Sequence, residues 1–179
     1  MMGPLLEIGS GEIGKYLNMP ATTRTDIVRY PGIDVQCDAM ELPFKDESFG
    51  AVFMVDAFHH LERPSLPEFY RILKPKGRLI MVEPFCSRLS YWVYGYFHHE
   101  KFQNLIGHAY LIHQWDNIMQ IFKGRLVPTD FIIYPLSGGF SYPCLVPLWA
   151  YPYLEILERK LKPLAKWLAW RMMVVLEKI

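Results

Sequence analysis

A 179-residue chain with 51% hydrophobic and 21% charged residues is composed like one globular domain with room for a buried core. A formal net charge of +1 without a long basic run argues against nucleic acid as a partner, and no stretch reaches the roughly 18 uncharged apolar residues of a membrane span. Three scattered cysteines, Cys37, Cys86 and Cys144, form neither a disulfide framework nor a metal pattern, and no signal peptide opens the chain, so a cytoplasmic protein without a metal is expected.

Residues 4–8 form the first predicted strand, entered so close to the start that the domain is read as abbreviated at its N-terminus. Residues 9–11 make a tight turn, and 12–19 a short helix stopped before Pro20. The β-branched run 22–28 is strand two and 33–37 strand three, reached through Tyr30-Pro31-Gly32. That connection is too short for the usual crossover helix. Residues 51–55 are a buried strand four, and 65–73 an amphipathic helix with Leu66, Phe69, Tyr70 and Leu73 on one face. Lys74-Pro75-Lys76-Gly77 ends that helix and leads into strand five, 78–83. Further on, 88–97 and 116–122 are expected to be helical, 127–134 a strand, 137–152 a loop, 154–170 an amphipathic helix and 172–177 a last strand. Strands alternating with helices predict a mainly parallel α/β sheet covered on both faces.

Chemistry concentrates at the strand ends. The first strand runs into Gly9-Ser10-Gly11, where glycine lets backbone pass close to a ligand and a helix N-terminus offers free N–H groups. Gly9, Gly11 and Gly14 also satisfy the dinucleotide pattern G-x-G-x-x-G, which alone is weak evidence. Glu7 and Glu12 would repel a pyrophosphate there, whereas an acid suits a ligand carrying an ammonium and a sulfonium; a loop-bracing carboxylate is the plainer role for Glu7. Asp26 lies where an acid accepts hydrogen bonds from ribose hydroxyls, unless it is simply a solvated turn residue. Asp38 could accept from an adenine amine while Ala39 and Met40 pack on the ring.

The ordered series Leu6-Glu7-Ile8-Gly9-Ser10-Gly11, Asp26, Asp38-Ala39-Met40-Glu41-Leu42-Pro43-Phe44, Asp46-Glu47-Ser48-Phe49, His59-His60-Leu61 and Arg71-Ile72-Leu73-Lys74-Pro75-Lys76-Gly77-Arg78-Leu79 resembles the class I S-adenosylmethionine-dependent methyltransferases. It is similar to their ubiquinone/menaquinone-biosynthesis branch over residues 5–84. The resemblance implies a Rossmann-like, seven-stranded sheet with an antiparallel last strand, and S-adenosylmethionine as cofactor. It implies cofactor contacts at Glu7, Gly9, Ser10, Gly11, Asp26, Ile27, Asp38, Ala39 and Met40, with Asp56 beside the methionine portion. Residues 1–179 are then one domain, with a cofactor half (1–84) and an acceptor half (85–179). The sequence departs from the family where Ile13 replaces a glycine, where Lys76 replaces one of two glycines, and in the missing helix between strands two and three.

Methyl transfer is a displacement in which the protein chiefly aligns nucleophile, methyl and sulfur, and a base is needed only if the acceptor must lose a proton. His59 and His60 follow strand four and are the candidates for that base, although such a pair often includes a packing histidine. His98-His99-Glu100, His108 and His113 lack metal-ligand spacing and are candidates for the acceptor pocket. The aromatic run 91–97 is expected to cover that pocket over a small-molecule or lipid-like acceptor. Three rival readings are a cofactor-binding protein without turnover, a nicotinamide-dependent oxidoreductase, and a peripheral membrane protein. The last would use 154–170 as an interfacial helix with Lys160, Lys162 and Lys166. Exposed-looking aromatics make a homo-oligomer possible.

Overall fold

The computed structural model describes residues 3–12, 22–61, 66–97, 110–136 and 144–179. Seven strands form one sheet in the order β3-β2-β1-β4-β5-β7-β6: β1 Leu5–Ile8, β2 Thr22–Asp26, β3 Val35–Gln36, β4 Phe49–Val55, β5 Leu73–Pro84, β6 Phe122–Thr129 and β7 Arg171–Lys178. β1 is parallel to both β2 and β4, and β4 to β5, while β7 runs antiparallel to its neighbours β5 and β6. Both halves of the chain therefore contribute to one sheet. Its centre is buried because β1, β4 and β5 supply Leu6, Val52, Met54, Leu79 and Met81, the near-continuous apolar runs of a covered parallel sheet. On β7, Met172, Val174 and Leu176 alternate inward at period two.

Helix α1 (Leu66–Ile72) buries Leu66, Phe69 and Ile72, three positions on one face, against that core. Its Arg71 donates to the carbonyls of Phe44 and Leu42 and to Asp46, while Glu68 accepts from the Leu42 N–H. The Leu42-Pro43-Phe44 and Arg71 pieces of the sequence series are thus one bracing unit, clamping the loop after β3 onto α1.

Several expectations are corrected. Strand two stops at Asp26, whose Oδ1 accepts the Val28 N–H and turns the chain, leaving Ile27 and Val28 exposed. Strand three is shorter than predicted, although backbone bonds from Asp34 to the Arg24 carbonyl and from Cys37 to the Asp26 carbonyl continue its pairing. No helix separates β2 and β3, as the short connection required. The Lys74–Gly77 segment neither ends the helix nor simply precedes the strand. Leu73 already pairs with Phe49 and Arg78 with Ala51, so four residues loop out against Gly50, and Lys76 takes the left-handed φ of 62° that a glycine would accommodate freely.

Strand six is 122–129 rather than 127–134. As the outer strand it tolerates Pro128, which has no N–H to give. Residues 131–133 turn away because the Glu158 carboxylate accepts all three of their N–H groups and caps a short helix, Ile133–Leu136. The predicted helix 154–170 is broken into Tyr151–Leu161, a 3-10 turn Lys162–Leu164, and Ala165–Leu168; Pro163 lacks the N–H that would continue the first. Its Leu157 and Leu164 are exposed, not packed on the sheet. The predicted helix 12–19, residues Ile13 and Gly14, His98-His99-Glu100, His108 and most of the 137–152 loop lie outside the described residues. No metal-capable cluster and no helix long and apolar enough to cross a membrane occur among the described residues.

Candidate functional site

Strand order reverses at β1, and in open α/β sheets ligands bind outside the carboxyl ends of the strands at such a switch point. A cleft of about 670 Å³ opens there. Of the residues proposed from sequence, Gly9, Asp26, Ile27, Asp38, Ala39, Met40, Asp56 and His60 line it. Gly9 is held at a φ of 69°, and a Cβ at this position would stand 2.7 Å from the Ala57 Cβ, so the first turn can meet the loop after β4 only as glycine.

The Asp26 carboxylate joins two walls of the cleft. Its Oδ2 accepts the Gly11 N–H at 2.9 Å and its Oδ1 the Val28 N–H at 2.9 Å, leaving further lone pairs for a ligand. Asp38 accepts the Met40 N–H at 2.8 Å, an Asx turn that sets buried Ala39 and half-buried Met40 along the floor. Asp56, at a φ of 50°, is held by an ion pair to Arg171 at 2.8 Å; burial pushes its carboxyl above the ordinary value, and Arg171 partly offsets this.

Four expected site residues are placed elsewhere. Glu7 is buried behind the turn and paired with Arg24 at 3.6 Å, and its carboxyl is raised by burial, which Ser10 and Arg24 partly offset. Ser10 is buried, its N–H donating to the Thr25 carbonyl, and Gly11 is spent on Asp26. His59 points away from the cleft: its Nδ1 lies 2.7 Å from Glu83 Oε2 in a fully buried pair. Its neighbour His60 is exposed and lines the cleft, so the adjacent histidines separate into a structural and a cleft residue.

Sequence reasoning missed Tyr30, Cys37 and Leu61 on the lining, and Glu83 behind it. Glu83 sits at the end of β5, 2% exposed, and accepts the N–H groups of Ala57 (3.0 Å), Phe58 (2.8 Å) and His59 (3.3 Å). It thereby holds the 3-10 turn Phe58–His60 and, through it, the wall formed by Asp56, Ala57 and His60. An acid within an otherwise apolar buried strand was the available signal.

The electrostatics discriminate between ligands. Three carboxylates, Asp26, Asp38 and Asp56, line the cleft, and among the described residues no lysine or arginine does. Such a site opposes a pyrophosphate and suits a nucleoside bearing positive charge. The carboxylate acceptors and the apolar floor fit an adenosyl group carrying a sulfonium.

Residues 6–81 match the family model described as a methyltransferase domain. Over these residues, fewer than half of its length, the chain is similar to that methyltransferase family. It is 31% identical over 91 residues to the probable tRNA methyltransferase 9B of Mus musculus, an overlap of 42% of this chain and 20% of that protein. It is 46% identical over 48 residues to the ubiquinone/menaquinone biosynthesis C-methyltransferase of a Ruegeria species, covering 26% of this chain and 19% of that one. The matched segments thus span about a fifth of these relatives. Among solved structures, an S-adenosylmethionine-dependent methyltransferase from Thermotoga maritima aligns over 99% of this chain and 82% of its own, at a TM-score of 0.57 and 20% identity. This agreement is one of fold. The Rossmann-like sheet with an antiparallel seventh strand, expected from sequence, is the fold found.

Proposed function

We propose that this chain transfers the methyl group of S-adenosylmethionine to a small-molecule or lipid-like acceptor at the cleft beside β1. The observation that carries the reading is a switch-point cleft lined by three carboxylates and, among the described residues, by no lysine or arginine, whose glycine turn at Gly9 has no room for a side chain. When bound, the cofactor supplies a methyl carbon activated by a sulfonium leaving group. Asp26 receives the ribose hydroxyls, Asp38 the adenine amine with Ala39, Met40 and Ile27 on the ring, and Asp56 faces the methionine portion. Glu7, Ser10 and Gly11 act one layer behind, shaping the turn.

His60, the histidine that reaches the cleft, takes the proton of an acceptor that must lose one as its new bond to carbon forms. His59 positions the turn. A reducing, cytoplasmic setting suits Cys37, Cys86 and Cys144, which form no disulfide among the described residues, and 1–179 acts as one domain, since both halves share the sheet. The similar proteins include a probable tRNA methyltransferase and a ubiquinone/menaquinone biosynthesis methyltransferase, so acceptors vary among them. The net charge and acidic cleft support the smaller, less charged class here.

The test is release of S-adenosylhomocysteine in the presence of quinol, lipid and tRNA acceptors, each with product mass analysis. Acceptor-dependent release with a product heavier by one methyl group is expected for a quinol or lipid. Methylation of tRNA alone would overturn the acceptor class, and tight cofactor binding without release on any acceptor would support the non-catalytic alternative.

A further inference from the structure

The segment between β6 and β7 leaves and re-enters the sheet at the same edge as the cleft. Thr129 and Pro84 both pair with Arg171, which holds Asp56 of the cleft wall at 2.8 Å. The helix Tyr151–Leu161 within this segment buries no residue at all. Leu148 and Trp149 before it are 88% and 73% exposed, Tyr153, Ile156 and Leu157 are open along it, and Leu164 and Trp167 follow. α2 (Arg88–Phe97) packs against Ala165–Leu168, with the Arg88 guanidinium 4.1 Å over the Trp167 ring, and extends the same surface through exposed Tyr91 and Trp92.

The charges on this surface decide what it fits. Residues 145–167 carry Arg159, Lys160, Lys162 and Lys166 against Glu155 and Glu158. Glu158 is engaged by three backbone N–H groups and Glu155 faces Arg159 at 3.9 Å, so the outward balance is basic. Tyr153, Ile156, Leu157 and Lys160 follow helical i, i+3, i+4, i+7 spacing and share one exposed face. Lysine, here at the end of an apolar face, is depleted from protein–protein interface cores. At a bilayer it is favourable, because its stem lies along the acyl boundary while the ammonium reaches the headgroups. Tryptophan and tyrosine prefer that same depth.

We propose that the face formed by residues 145–167 and α2 seats on the surface of a bilayer carrying anionic lipids, which sets the cleft edge against the membrane. This deepens the methyltransferase reading and rests on it: the acceptor would then be a membrane-embedded lipid or quinol drawn from the bilayer.

The experiment uses the full chain with phosphatidylcholine vesicles, with and without phosphatidylglycerol, in co-sedimentation and tryptophan-emission measurements. Partitioning about tenfold stronger onto the anionic vesicles, falling with added salt, is expected from several lysines at the surface. The double variant Leu148→Ser, Trp149→Ser should lose about tenfold of that partitioning while its affinity for S-adenosylhomocysteine stays at the parent level. Equal or absent binding to both vesicle types overturns the proposal, as does a concentration-dependent dimer abolished by the same substitutions. Because cofactor binding and turnover on a detergent-dispersed acceptor are read on the same protein, loss of vesicle binding alone refutes the surface and leaves the enzyme reading intact. Absent cofactor binding would refute the latter.

Discussion

Replacing Glu83 by glutamine should loosen the cleft wall from behind without touching any ligand. The carboxylate is buried and satisfies three backbone N–H groups and the Nδ1 of His59. Glutamine keeps one oxygen for Ala57 and Phe58 and turns an NH₂ toward the His59 backbone N–H, leaving donor against donor. A buried donor left without an acceptor costs about 1–3 kcal/mol, and bonds to a charged acceptor are worth about 1.5–3 kcal/mol. A loss of about 2–4 kcal/mol follows, or about 5–15 °C in Tm for a chain of this size. Alanine would strip every acceptor and approach the whole stability of a domain, so glutamine is the informative change. Since the turn carries Asp56, Ala57 and His60, affinity for S-adenosylhomocysteine should also fall, by about tenfold if 1.4 kcal/mol of the loss is felt at the cleft. Thermal melting and calorimetric titration read the two effects. A variant melting within about 1 °C of the parent and binding as tightly would refute the bracing role of Glu83.

Asp26→Ala should weaken S-adenosylhomocysteine binding by about ten- to a hundredfold, the worth of a charge-assisted hydrogen bond, and an unchanged affinity in a folded variant would remove it from the ribose site. Burial raises the Glu7 carboxyl, so its ionised form is disfavoured in the fold and stability is lost as pH rises from its ordinary value of 4.5 toward the raised one. Glu7→Gln should therefore gain stability relative to the parent as the pH rises above 4.5 in chemical denaturation, and the opposite slope would contradict the burial effect. Exposed Cys144 should be alkylated first, and Cys86, whose thiol burial pushes up to about 12, last. Cys37 lines the cleft, so S-adenosylhomocysteine should slow its labelling; mass spectrometry showing no such protection would displace the ligand from that wall.

The first half of the sheet and its cleft were legible because their determinants are local. A glycine forced by a close approach, acids at or within two residues of strand ends, and the Arg71 brace with its Leu42-Pro43-Phe44 loop all appear as short motifs. The second half depends on distant partners that spacing does not reveal. The apolar run 127–134 looks like a strand, yet Glu158, far along the chain, converts its end into a capped turn. The amphipathic pattern over 154–170 looks like one helix with an apolar side to bury, yet Leu157 and Leu164 on it are exposed, because the pattern does not say what that side meets. His59 and His60 could not be told apart in sequence, because only the long-range pairing with Glu83 turns one inward.

Parallel calorimetric titrations of the chain with S-adenosylhomocysteine and with NAD test the cleft most directly. Three carboxylates and, among the described residues, no lining lysine or arginine predict a saturable S-adenosylhomocysteine isotherm and none for NAD. Binding of NAD with no response to S-adenosylhomocysteine would contradict the assignment of the cleft.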